Sequence, residues 1–140
     1  MLWGMELTVT HCFLAVHDQD AALAFYRDTL GLEVRNDVDL GVMRWLTVGA
    51  PSQPGLEIGL LVPGGPGSTP ADIEAAIEIT RKGIMPGLVF AVPDVDKTFE
   101  ELRGKDVEVY QEPMDQPYGR DCAFADPSGN HIRFSQPPAS

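Results

Sequence analysis

The chain has 140 residues, of which 44% are apolar and 22% charged, the size and balance of one globular domain able to bury a core without staples. No apolar run approaches the roughly 20 residues of a membrane helix, and the opening M-L-W-G-M-E lacks the basic start and apolar stretch of a secretory signal. A net charge of −11, with Lys and Arg scattered singly, excludes a basic stripe that tracks phosphates, and so argues against a nucleic-acid partner.

Residues 1–4 read as a short lead-in, with folded structure starting near Met5. The first strand is read in L-T-V-T-H-C-F-L-A-V, an apolar and β-branched run. Asp18 is placed to cap the helix D-A-A-L-A-F-Y-R-D-T-L, whose apolar face carries Ala22, Phe25, Tyr26 and Leu30, and Gly31 ends it. Three strands follow: L-E-V-R-N, V-M-R-W-L-T-V and L-E-I-G-L-L-V. These elements make a βαβββ module over residues 7–62. Residues 63–85 hold a Pro/Gly-rich loop and a linking helix, with Thr69 as cap, Pro70 at the first helical position and Asp72 closing a capping box. Its apolar face is Ile73, Ala76, Ile77 and Thr80, and Gly83 ends it.

Residues 86–136 then repeat the plan. F-A-V-P-D-V-D at 90–96 echoes L-A-V-H-D-Q-D at 14–20, with Ala15, Val16, Asp18 and Asp20 each matched 76 residues later. Asp94 caps the helix D-V-D-K-T-F-E-E-L-R, and V-E-V-Y-Q-E, D-C-A-F-A-D and H-I-R-F-S are strands. Four strands leave a sheet with one bare face, so two such modules, in one chain or across a dimer, are expected to curve into a cup. The fold class is α+β, one domain of two tandem modules forming a curved, cup-shaped mixed sheet. The separate thiols Cys12 and Cys122, in a chain without an export signal, read as reduced, and the cytoplasm is the expected compartment.

The run T-H-C-F-L-A-V-H-D, then F-Y-R-D, then L-G-L-E-V resembles the opening of the vicinal oxygen chelate superfamily, which includes glyoxalases, bleomycin-resistance proteins and extradiol dioxygenases. F-A-V-P-D-V-D and F-A-D-P-S-G-N-H-I-R-F resemble its second-module opening and closing strand, so the likeness spans about residues 7–136. It implies a homodimer with a ligand cavity in each cup and, in metal-dependent members, a divalent ion such as Zn, Ni, Mn or Fe held by inward His and carboxylate groups. His11 matches the first ligand position; either Glu57 or Gly59 takes the second; Gly87 and Arg133 stand at the third and fourth. A glycine donates nothing and a guanidinium has no lone pair to give. No metal or other cofactor is therefore expected; if an ion binds, His11, Glu57 and His131 are its candidate ligands.

The residues that remain suggest organic chemistry. Arg133 is read either as a partner of Glu57 across the modules or, helped by His131 or Arg44, as a binder of a carboxylate, carbonyl or phosphate. Trp45, Met114 and Tyr118 are assigned to the cup's wall and rim, and Arg120 with Asp121 to a rim ion pair. His11 and Glu57 are the candidate acid and base. The reading preferred is a metal-independent small-molecule-binding protein that sequesters a toxic compound. The alternative is a lyase, isomerase or oxygenase using His11 and Glu57, with a metal or as acid and base; an accessory domain without ligand comes third.

Overall fold

The computed structural model describes residues 4–138; of the lead-in read at residues 1–4, residues 1–3 lie outside them. β1 (His11–Ala15) is shorter than the apolar run suggests. Residues 4–10 are exposed and outside regular structure, because no neighbouring strand covers Met5, Leu7 or Val9. Within β1 the period of two sends Leu14 into the core and leaves His11 and Phe13 on the opposite face. The Asp18 carboxylate accepts from the Ala21 amide and starts α1 (Gln19–Leu23), which widens into a π turn over Ala24–Thr29. There the Leu30 amide donates to the Phe25 carbonyl five residues back, and both Phe25 and Tyr26 are buried.

β2 (Glu33–Asp39), β3 (Arg44–Gly49) and β4 (Glu57–Leu61) complete the first sheet, ordered β1-β4-β3-β2 with β1 and β4 parallel. α2 (Pro70–Arg81) begins with the full Thr69–Asp72 capping box. Of its predicted apolar face only Thr80 is buried; Ile73, Ala76 and Ile77 are half-covered. The second module has β5 (Leu88–Ala91), α3 (Val95–Arg103, capped by Asp94), β6 (Val109–Gln116), β7 (Gly119–Ala125) and β8 (His131–Gln136), ordered β5-β8-β7-β6. The fold is therefore α+β, of the glyoxalase-like kind, built from two βαβββ units with the same strand order. Strand pairing among the described residues stays within each module, giving two four-stranded sheets with β1 and β5 at their edges.

One core runs through both units. Leu14, Val16, Leu46, Val48 and Leu60 of the first join Val95, Phe99, Leu102, Phe124 and Ile132 of the second. Each such side chain contributes roughly 1.5–3 kcal/mol by leaving water. A polar clasp adds direction. The Tyr26 hydroxyl donates to Asp126 Oδ2 at 2.6 Å, and Asp126 Oδ1 also accepts from the Ser128 and Asn130 amides. Asn130 Nδ2 in turn donates to the Ala15 carbonyl at the end of β1. The F-Y and D-P-S-G-N signatures, about a hundred residues apart, thus meet where the modules join. Burial pushes the Tyr26 phenol well up, and the adjoining Asp126 carboxylate raises it further.

Candidate functional site

On each sheet the face away from the helices carries the candidate residues. In the first module it is built from His11 and Phe13 on β1, Glu57 and Gly59 on β4, and Trp45 and Thr47 on β3. A register shift in β2 between Val34 and Asn36 sets Asn36 opposite Thr47, and so on this face too. Glu57 Oε1 accepts from the Thr47 hydroxyl at 2.6 Å and from Asn36 Nδ2 at 2.8 Å. The Thr47 bond above all, then Asn36 and the neighbouring His11 and Arg35, outweigh partial desolvation and hold the Glu57 carboxyl below its ordinary value. Glu57 Oε2 lies 3.6 Å from His11 Nε2, while His11 Nδ1 is 2.9 Å from the Thr10 hydroxyl. Trp45 meets Phe13 edge-on, with ring centroids 6.0 Å apart, and lies 5.9 Å from the His11 ring.

The second module's face centres on Asp121, which is fully buried. Its carboxylate accepts from Arg133 Nη1 at 2.8 Å, the Tyr118 hydroxyl at 2.7 Å, Gln111 Nε2 at 2.8 Å and, at 3.4 Å, Gln116 Nε2. Burial by itself would raise the Asp121 carboxyl, but these hydrogen bonds prevail and hold it below the ordinary carboxylate range. Arg133 Nη1 also donates to Gln111 Oε1. The protein bonds of this guanidinium among the described residues all use Nη1, so its Nη2 and Nε edge is available to a ligand. An open depression of about 410 Å³, bordered by Met85, Gly87, Val89, His131 and Arg133, lies beside it. That volume falls in the small-molecule range.

Several expectations need correcting. Arg133 pairs with Asp121 of its own sheet, not with Glu57. Arg44 shares the helix-side parity of Leu46 and Val48; it bridges Asp20 and Asp37 outside the cup and gives Arg133 no help. His131 is not a free donor: its Nε2 bonds the Gly83 carbonyl of the linker, and its ring lies on Tyr110. Arg120 pairs with Asp96 and Asp115 rather than with Asp121, since consecutive strand residues point to opposite faces. Met114 lies in β6 opposite Asp121, and Tyr118 in the β6–β7 turn. Asn36, Thr47, Gln111 and Phe13 were not singled out from the sequence. Parity with Trp45 and His11 could have found Thr47 and Phe13, whereas bulges hide Asn36 and Gln111.

Strand register fixes which positions correspond. His11 stands opposite Glu57 and Phe13 opposite Gly59, while Val89, the repeat of Phe13, stands opposite Arg133. Gly59 is therefore the counterpart of Arg133, and Glu57 that of His131. The donor set does not fit a tightly held divalent ion, which wants several converging His or carboxylate groups. A Cβ at Gly59 would overlap the Phe13 ring, and one at Gly87 would overlap the His131 carbonyl, so the backbone has closed over the third position. Arg133 puts a cation at the fourth. Among the described residues no three of His, Cys, Asp and Glu come together around a common point.

The family model described as Glyoxalase/Bleomycin resistance protein/Dioxygenase superfamily matches residues 8–134. The chain is 35% identical to YurT of Bacillus subtilis over 133 residues, covering 94% of this chain and 99% of that one. Among solved structures it is similar to UcmS2, with a TM-score of 0.87 and 37% identity over 94% of this chain and 98% of the other. It is also similar to TnmS3, described as an antibiotic-binding protein from Streptomyces sp. CB03234, with a TM-score of 0.76 and 29% identity over 96% of this chain and 100% of the other. With the matched model spanning both repeats and all eight strands, the chain belongs to the glyoxalase/bleomycin resistance protein/dioxygenase superfamily.

Proposed function

We propose that this protein binds a small organic molecule without a metal and sequesters it, as a resistance or scavenging protein would. The observation that carries the reading is Arg133, held through Nη1 by Asp121 and Gln111 with its other edge open to the 410 Å³ depression. A guanidinium anchored on one side is preorganised to receive a carbonyl, carboxylate or phosphate on the other. Tyr118 and Met114, both exposed, flank it, and Trp45 supplies an aromatic wall in the other half-site. The likeness to TnmS3, whose description is antibiotic-binding, supports an antibiotic-like ligand. We take the working protein to be a homodimer in the cytoplasm: Phe13 is 55% and Val89 66% exposed in the single chain, as is most of Met5, Leu7 and Val9, and apolar side chains left bare on a sheet face suit a partner subunit. Among the described residues no helix is long and apolar enough to cross a membrane. Screening the full-length protein against aromatic and peptide antibiotics by thermal shift is expected to give a ligand that raises Tm with concentration and is recovered unchanged. A turned-over compound, or a bound ion whose removal abolishes the shift, overturns this reading.

One observation favours a second reading. His11 Nδ1 meets the Thr10 hydroxyl and Nε2 faces Glu57 at 3.6 Å; the tautomer protonated at Nε2 would suit metal-free acid and base chemistry of a lyase or isomerase. Product formation that disappears in His11→Ala, with the fold intact, would select it.

A further inference from the structure

The half-site of the first module has a chemistry that Arg133 does not explain. Glu57 spends one oxygen, Oε1, on both of its close donors, Thr47 and Asn36. Its other oxygen, Oε2, has no hydrogen-bond donor within range among the described residues; the nearest cation-capable group is His11 Nε2 at 3.6 Å. The two fixed donors orient the carboxylate before any ligand arrives. The Trp45 and Phe13 rings lie 5.9 Å and 6.3 Å from the His11 ring that faces this oxygen, at 62° to one another, and the Phe13 ring is laid over Gly59, where any side chain would displace it. An ionised carboxylate with one uncommitted oxygen, on a face it shares with two aromatic rings, matches an ammonium group carried on a flat apolar body. The anion takes the N–H bonds, and the ring faces attract the cation and cover its substituent. The protein's net charge of −11 favours the approach of such a ligand.

We propose that the Glu57–Trp45–Phe13 face is an ammonium subsite, so that the sequestered molecule carries an alkylammonium group on a planar aromatic body. The proposal rests on the binding reading above and deepens it. It assigns Glu57 a direct hydrogen bond to the ligand's nitrogen and His11 a place at the edge of the subsite.

The test titrates the full-length protein with two fluorescent probes of one shape, pyrenylmethylamine and pyrenylmethanol, read by anisotropy at neutral pH. The amine is expected to bind about tenfold more tightly than the alcohol, the size of one charge-assisted hydrogen bond. Glu57→Gln keeps an acceptor for Thr47 and Asn36 and removes the charge, and is expected to bring the two probes to equal affinity. Trp45→Leu is expected to weaken both. Equal affinity in the wild type overturns the proposal and needs no variant; so does a preference that survives Glu57→Gln, or failure of both probes to bind. None of these results touches the broader binding reading, which the antibiotic thermal-shift screen decides separately.

Discussion

The two modules share a backbone plan and disagree on one face only. On the helix side the paired positions stay apolar: Ile58 corresponds to Ile132, Val48 to Phe124, Leu46 to Cys122 and Leu60 to Phe134. On the other side almost every pair differs in kind. Gly59 corresponds to Arg133, Trp45 to Asp121, Glu57 to His131 and Thr47 to Ala123. The core requires the same thing of both units, burial of an apolar face, and so keeps the repeat recognisable. On the proposed binding reading the open face answers to a ligand, and a ligand with two unlike ends would need two unlike halves. One half is anionic and aromatic, the other an Arg133–Asp121 ion pair set among amides.

The comparison breaks most severely at Asp121. Asp121→Asn removes the charge that four donors converge on and leaves Arg133 facing a neutral partner. The expected loss is about 3 kcal/mol, the low end for unpairing a buried charge because Arg133 keeps some contact with water. Denaturant unfolding at neutral pH measures it. Since the folded state holds this carboxyl below its ordinary value, the stabilisation is full above the unfolded-state pKa of about 4 and is lost as pH falls through the lower folded value. The gap between wild type and Asp121→Asn should therefore narrow on acidification below about pH 4. A gap that is constant with pH would mean the carboxylate's charge is not what stabilises the second half-site.

Gly87→Ala comes next. The added Cβ meets the backbone carbonyl of His131, which cannot rotate away, so β5 or β8 has to shift at a cost of about 2 kcal/mol. Tyr26→Phe removes one of the donors on Asp126 at the module junction while preserving the ring. Its expected cost is about 1.5 kcal/mol, both groups being buried. It should leave binding of the pyrene probes unchanged, since the junction lies on the helix side of the sheets.

Much of this was legible in the sequence, and the failures share causes. Helix starts were readable because Asp18, Thr69 and Asp94 satisfy amide donors locally, within a few residues of chain. The repeat placed His11 and Gly87 correctly because parallel strands keep their parity. What escaped depends on where chains meet. The Val34–Asn36 bulge rotates Asn36 to Thr47 with no mark in composition. The linker's carbonyl at Gly83 captures His131, a partner 48 residues away. Arg44 is held on the helix side by Asp20 of α1, 24 residues away, and only the folded chain brings the two together. Asp121 was legible in principle: alternation from Arg120 already turned it inward.

Gly59→Ala is the smallest effect and the most specific to the comparison. Gly59 and Gly87 both lack room for a Cβ, but for different reasons. At Gly87 the obstacle is backbone. At Gly59 it is the exposed Phe13 ring, which can swing out by changing rotamer. Gly59→Ala should therefore cost well under the Gly87 substitution, within about 1 kcal/mol of wild type. It should still weaken binding of an aromatic probe, because the ring leaves Trp45 when it moves. If the two substitutions are equally costly in denaturant unfolding, the backbone around Gly59 is as closed as that around Gly87. If stability and probe affinity are both untouched, Phe13 does not lie where the proposed subsite needs it.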